Sequence, residues 1–171
     1  RGLGIALRNY GTQPGRAMEA THRAFALRDR LTAVERDRVE AGYYAAVTRE
    51  PRRAIPAYER AIARAPESVA PQINIGEVYR ELGELDAAMD WYERALRLDS
   101  TQAIALMNVA QVSATRGEID RSLEAADRLD RYGHQPFGDW HRAAAAVAVR
   151  DYEAAESRLA PVLEDVAGSG F

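Results

Sequence analysis

Residues 69–102 read VAPQINIGEVYRELGELDAAMDWYERALRLDSTQ, and the placement of small and aromatic residues in them decides the fold. Gly76, Tyr79 and Gly83, then Ala88, Tyr92 and Ala95, are separated by three and four residues, which puts each set on one face of a helix. Gly83 stands where the first helix must end and reverse, because glycine takes the left-handed C-cap conformation without a Cβ penalty. The stretch predicts two helices joined by a tight turn. Moving back 34 residues finds Ala41-Gly42, Ala45, Ala54, Tyr58, Ala61 and Pro66; moving forward 34 finds Val109-Ala110, Ser113, Gly117, Ser122, Ala126 and Leu129. Three consecutive units share one register, and self-similarity at a fixed period is the signature of a stacked array.

Physically, Gly42, Gly76 and Ala110 are read as the small residues that let the two helices of a unit approach, with Tyr58 and Tyr92 filling the space between neighbouring units. Boundaries follow from caps: Thr32-Ala33-Val34-Glu35 is a capping box, and Ser68, Ser100 and Asp139 are expected N-caps. The second unit departs from the pattern at Arg49-Glu50-Pro51, where a glycine turn is usual. Outward from these units, Trp140, Ala143 and Ala146 predict one helix of a further unit, and Asp151-Tyr152-Glu153-Ala154-Ala155 opens its second, slipped by about one residue. Pro161 is expected to kink or end that last helix. Toward the start, Leu3-Gly4, Leu7 and Gly11 resemble part of a first helix, and Ala17, Ala20, Ala24, Leu27 and Leu31 form one expected apolar face. Gly4 to Gly42 spans 38 residues instead of 34, about one extra turn.

The pattern resembles the tetratricopeptide repeat family in period and in its small and aromatic positions. The resemblance implies an all-α, right-handed superhelical array of about four helix-turn-helix units, the first partial. The expected organisation is one domain over 1–171, with units at about 1–31, 32–68, 69–102, 103–135 and 136–167 and a small-residue tail at 168–171. The stretch from Ala26-Leu27-Arg28-Asp29-Arg30-Leu31 to Glu40-Ala41-Gly42-Tyr43-Tyr44, followed by Ala54-Ile55-Pro56-Ala57-Tyr58, is also similar to tetratricopeptide regions attached to bacterial Ser/Thr kinases and regulators. No kinase motif is present, so no activity carries over.

In such arrays the first helix of each unit lines the inner surface. By resemblance, the inner positions are Arg36, Val39, Tyr43 and Ala46, then Ile73, Glu77 and Arg80, then Ile104, Met107, Gln111 and Ala114. Asn74 and Asn108 recur at one place. Family members that clamp a peptide carboxylate use basic and asparagine residues where this chain has Val39, Ile73 and Met107, and Tyr43, Glu77 and Gln111, so that clamp is absent. The expected partner is a protein or peptide segment, an apolar helix or extended strand docked by Tyr43, Ile73 and Met107 and oriented by Glu77 and Arg80. Trp91, beside Tyr92, is expected to point outward as a convex-face contact.

Composition excludes other classes. The 171 residues are 47% hydrophobic and 29% charged, which is globular, and the net charge of -3 offers no field for a phosphate backbone, so no nucleic acid is expected. Cysteine is absent, which removes thiolate metal sites and thiol catalysis. His134 and His141 flank Asp139 without a helical ligand pair and are read as polar turn residues, so no metal, cofactor or catalytic residue is assigned. Gly2-Leu3-Gly4 lacks the strand and third glycine of a dinucleotide site. Glu81, Glu84, Asp86, Asp90, Glu118, Asp120 and Glu124 fall in first turns or on exposed faces, a solvated role. No apolar run reaches membrane-spanning length, leaving open a place in a membrane-associated complex. All 23 basic residues are Arg and Ala occurs 33 times, consistent with a GC-rich bacterial genome. The chain opens Arg1-Gly2-Leu3 without an initiator Met and is read as part of something larger; with the absent Cys, this favours a periplasmic over a cytoplasmic place. The expected function is a non-enzymatic interaction module, a scaffold or accessory subunit docking within a larger assembly. The alternative is the regulatory domain of a bacterial signalling protein such as a Ser/Thr kinase.

Overall fold

The structure is a computed structural model and describes residues 14–168. Every regular element among them is helical: α1 Pro14–Ala26, a 3-10 turn Arg28–Arg30, α2 Ala33–Gly42 continuing into a π-helical turn Tyr43–Val47, α3 Pro51–Arg64, α4 Val69–Glu81, α5 Leu85–Leu98, α6 Ala103–Thr115, α7 Ile119–Arg131, α8 Gln135–Ala148 and α9 Tyr152–Gly168. The all-α expectation holds for these residues. They fall into two compact units that divide between Glu84 and Leu85. Leu3, Gly4, Leu7 and Gly11 lie outside the described residues, as does the tail beyond Gly168.

The reversals follow the predicted glycines. Gly83 and Gly117 both sit at φ 77°, and Gly133 at φ 81° closes α7 in the same way. In each, the following amide donates to the carbonyl five residues back: Glu84 to Tyr79 at 2.9 Å, Glu118 to Ser113 at 2.9 Å and His134 to Leu129 at 2.8 Å. Where the repeat lacks glycine, an arginine takes the left-handed conformation instead, Arg49 at φ 54° and Arg150 at φ 64°. That costs a non-glycine residue about 1 kcal/mol. The Arg49 turn is one residue wider, with Glu50 N–H reaching the Tyr44 carbonyl at 2.7 Å, because the π-helical turn precedes it.

In the N-terminal unit, Thr32 caps α2 as expected: the Glu35 amide donates to Thr32 Oγ1 at 3.4 Å and the Thr32 amide to Glu35 Oε2 at 3.0 Å. Ala54, Ala57, Tyr58 and Ala61 of α3 are buried between α2 and α4. The Tyr58 hydroxyl is hydrogen-bonded to Asn74 of α4, and burial raises it well above its ordinary 10.0. Asn74 is thus a structural partner of Tyr58, the tyrosine that recurs at the repeat spacing within this chain. Of the apolar face expected from Ala17 to Leu31, Ala24 and Leu31 are half-buried but the face is not continuous among the described side chains. The α-helix stops at Ala26, Ala20 and Leu27 are exposed, and Leu31 follows the 3-10 turn. Phe25 holds the segment instead, stacked on Tyr43 of the π-helical turn at 3.9 Å.

One ion-pair cluster ties α2 to α3. Asp37, only 4% exposed, accepts from Arg60 Nε at 2.9 Å and Arg64 Nε at 2.7 Å. Burial alone would raise the Asp37 carboxyl, but the two arginine hydrogen bonds outweigh it and hold the group below its ordinary 3.8. Its stabilisation is therefore present above that value and lost as the pH falls through the lower folded one. Asp37→Asn should cost about 1–2 kcal/mol near neutral pH, less than a fully buried pair because Arg60 and Arg64 rehydrate. Urea denaturation at neutral pH and below pH 4 checks this, since the gap to the parent protein should close on acidification.

In the C-terminal unit α5 packs on α6, α6 on α7, α7 on α8 and α8 on α9. Tyr92, Ala95, Leu106, Ala110, Ala126 and Leu129 are completely buried. Small residues bring α6 and α7 together, where Ser122 Oγ donates to the Ala110 carbonyl at 2.9 Å. The tightest approach, however, is at Gly138 of α8, where a Cβ would lie 2.0 Å from Asp130 Oδ1 and 2.9 Å from the Ala126 carbonyl. Gly42, expected to serve a close approach, has open space where its Cβ would be.

Several expected ends are corrected. Ser68 occupies the N-cap of α4 but makes no side-chain cap bond. Ser100 does not cap: Gln102 is the N-cap of α6, and the preceding turn is closed by Asp99 accepting from the Thr101 amide at 3.0 Å and its hydroxyl at 2.7 Å. Asp139 lies inside α8, which begins earlier at Gln135 because Pro136 suits a first turn. Asp151, by contrast, accepts the Ala154 amide at 3.0 Å and starts α9 where the sequence placed it. That helix runs past Pro161 to Gly168, so the proline does not end it.

Candidate functional site

The expected inner positions fall in both units and are taken one unit at a time. In the N-terminal unit, Arg36 is exposed, but Val39 and Ile73 are 4% and 5% exposed and belong to the helical core, offering a partner no surface. Tyr43 is half-buried under the stacked Phe25 ring, with the His22 ring edge-on at 5.1 Å. Arg80 and Glu77 are both half-buried and paired with each other, Nη2 to Oε2 at 2.6 Å, so each largely neutralises the other's charge. Ala46 is half-buried as well.

In the C-terminal unit the picture is more open. Ile104 is 52% exposed, Gln111 is exposed, and Met107 and Ala114 are half-buried along α6. The left-handed residues mark the register and agree with the one-residue slip expected for the last unit: Arg49, Gly83 and Gly117 are 34 residues apart, but Arg150 follows Gly117 by 33. Shifting Ile104, Met107, Gln111 and Ala114 by 33 lands on Phe137, Trp140, Ala144 and Val147 of α8. Those four are exposed, with Phe137 at 47%, Trp140 at 56% and Val147 at 48%. The opposite side of α8, carrying Gly138, His141, Ala143 and Ala145, is buried. Trp140, Ala143 and Ala146 share one helix as expected, with Trp140 exposed and Ala143 buried. Since α6, α7 and α8 are joined by tight turns and α6 also touches α8, the two rows lie side by side.

The ionisable groups of α8 are committed to structure. Arg142, whose side chain is 14% exposed, donates to Asp127 and Asp130 of α7 at 2.6 Å each and to Asp139 at 3.2 Å. This clamp fixes the rotation of α8, and so which side carries Trp140. His141 is 7% exposed, and burial pushes its imidazole below the ordinary 6.5, so it sits neutral in the core. In repeat register it stands where Asn74 and Asn108 stand in their units, and Ala126 stands where those units have Tyr58 and Tyr92. His134 is the N-cap residue of α8. Among the described residues no group of three or more metal-ligating side chains assembles, and no helix is long and apolar enough to cross a membrane.

The acidic residues lie outward. Glu81, Glu84, Asp86, Asp90, Asp120 and Glu124 are exposed, and half-buried Glu118 pairs with Arg116 at 2.7 Å. Trp91 is half-buried beneath the Arg94 guanidinium, 4.4 Å from the ring centre, so the open tryptophan of this chain is Trp140.

Residues 39–103 match the family model described as tetratricopeptide repeat. No curated protein matches the chain in sequence. Among solved structures, a thermophilic tetratricopeptide protein of Thermus thermophilus superposes with a TM-score of 0.73 at 19% identity, covering 95% of this chain and 88% of that one. YrrB, described as having an unusual peptide-binding site, gives a TM-score of 0.65 at 16% identity, covering 95% of this chain and 83% of its own. The TPR2B domain of yeast Sti1, solved as a complex with pHsp70, gives 0.57 at 21% identity over 74% of this chain and 98% of its own. Likeness at these identities concerns the fold.

Proposed function

For a chain that carries tetratricopeptide repeats, we propose a role as an accessory subunit that docks a segment of another protein within a larger assembly. Arrays of this kind are interaction scaffolds whose repeated first helices present side chains to a partner. The single observation that carries the reading is the open row on α6 and α8. Ile104, Phe137, Trp140 and Val147 leave about half of their surface in water, although a monomeric protein gains by burying such side chains. Large apolar residues at the spacing of one helix face, next to a second such face, match the geometry of helix and peptide capture.

The test is recovery of the native protein at its natural level through a high-salt wash, comparing the parent chain with Trp140→Ala and Met107→Ala. Each should weaken partner retention by about 1–2 kcal/mol if it is an anchor. Retention unchanged in a folded double variant would overturn the proposal.

A further inference from the structure

We infer that the α6/α8 face takes a single uncharged apolar segment, an amphipathic helix presenting aliphatic side chains, in preference to an acidic or basic tail or a second copy of this chain. This rests on the interaction role proposed above and specifies its ligand.

The first argument is charge. Helix α6 reads AIALMNVAQVSAT and contains no ionisable group. On α8 the ionisable residues are Asp139, His141 and Arg142; His141 is buried, and Arg142 is clamped by three carboxylates on the side that faces α7. Carboxylates outnumber arginines in residues 85–171, yet none stands among Ile104, Met107, Gln111, Phe137, Trp140 and Val147. A charged side chain laid on this face would lose water and meet no counter-charge.

The second argument is size. With aromatic side chains offering about 150–250 Å² each, the exposed fractions of Ile104, Phe137, Trp140 and Val147 amount to roughly 400 Å² of apolar surface. A standard interface buries about 800 Å² on each partner. The face is therefore about half of what a stable dimer needs and suits one helix. The third argument is shape. Bulk lies toward the helix starts, at Ile104, Phe137 and Trp140, and returns at Val147, with the small Ala144 exposed between Trp140 and Val147. An aliphatic residue of a guest helix fits over Ala144 between Trp140 and Val147, and a guest with anchors at i, i+3, i+4 and i+7 follows the row.

The experiment uses the whole chain carrying Trp91→Phe, so that Trp140 alone reports. Three synthetic helical peptides are titrated, each with leucines along one face: one with glutamine elsewhere, one with those glutamines changed to glutamate, one with them changed to arginine. The neutral peptide should move Trp140 emission to shorter wavelength, saturably, with an affinity that salt does not change. Ala144→Glu should weaken it about tenfold or more while the helical spectrum is kept. A charged peptide that binds tenfold tighter than the neutral one and loses this with salt would overturn the inference, as would absence of binding by the neutral peptide. So would an emission shift and paired sedimentation that grow with protein concentration when no peptide is present, since the occupant is then a second copy. If partner retention depends on Trp140 but the peptides rank by charge, only the ligand chemistry fails. If retention ignores Trp140, the interaction role of this face fails with it.

Discussion

Tyr92→Ala should destabilise the C-terminal unit by about 3–5 kcal/mol, the range for deleting a fully buried aromatic ring. Tyr92 is 0% exposed, on the side of α5 that packs against α6, with Ala88 and Ala95 also at 0% on the same helix. Alanine neighbours cannot expand to fill the space the ring leaves, so both the transfer cost and the cavity cost are paid. Because a domain of this size has only about 5–15 kcal/mol in hand, the variant should melt far below the parent protein. The check is the urea midpoint followed by far-ultraviolet circular dichroism, with Tyr92→Phe separating the hydroxyl from the ring. A loss under about 1 kcal/mol would mean that α5 and α6 close over the gap.

Gly138→Val should cost about 3 kcal/mol, at the upper end of overpacking effects. Even the first added carbon would sit 2.0 Å from Asp130 Oδ1 and 2.9 Å from the backbone oxygen of Ala126. Asp130 cannot swing aside freely, because its other oxygen accepts from Arg142 at 2.6 Å. The Ala126 carbonyl moves only if α7 and α8 separate. The same change should also rotate α8, and so alter the exposure of Trp140. Gly42→Ala is the matched contrast. That residue has helical angles of φ -62° and ψ -36°, with nothing within 4 Å of its would-be Cβ, so removing the glycine should stabilise by about 0.5–1 kcal/mol. Thermal melts of both variants read the opposite signs directly.

These two glycines show how far residue type speaks for itself. Gly42 and Gly138 look alike in a sequence, and the repeat period favoured Gly42 as the tight approach. The distinction depends on the distance between helices, which the identity of one residue does not encode. Turn glycines were legible because their requirement is local: Gly83 and Gly117 need positive φ whatever surrounds them. The capping box at Thr32 was legible for the same reason, since both of its hydrogen bonds close within four residues. Ser100 and Asp139 have the right chemistry for a cap, but Pro136 and the Asp99 turn fixed other starting points.

The candidate site was harder. Val39 and Ile73 have the spacing of inner positions, yet they lie in the core, and Tyr43 is stacked under a ring from α1. The one-residue slip of the last unit was legible, but the inner positions were read only for the three units in constant register, so the row on α8, whose unit turns at Arg150 without a glycine, was not among them. The spacing of Trp140, Ala143 and Ala146 showed a helix but not which of them faces water; the Arg142 clamp to α7 goes with Trp140 outward and Ala143 inward.

Helical class, period, reversals and the lack of thiols can be read from residue identity, because each is written in local backbone preference or in composition. Which side of each helix faces water, where two helices touch most closely and which apolar residues stay exposed emerge in the folded chain. Those depend on helix rotation and separation, which are set by side chains far apart in the chain, among them Asp127, Asp130 and Arg142.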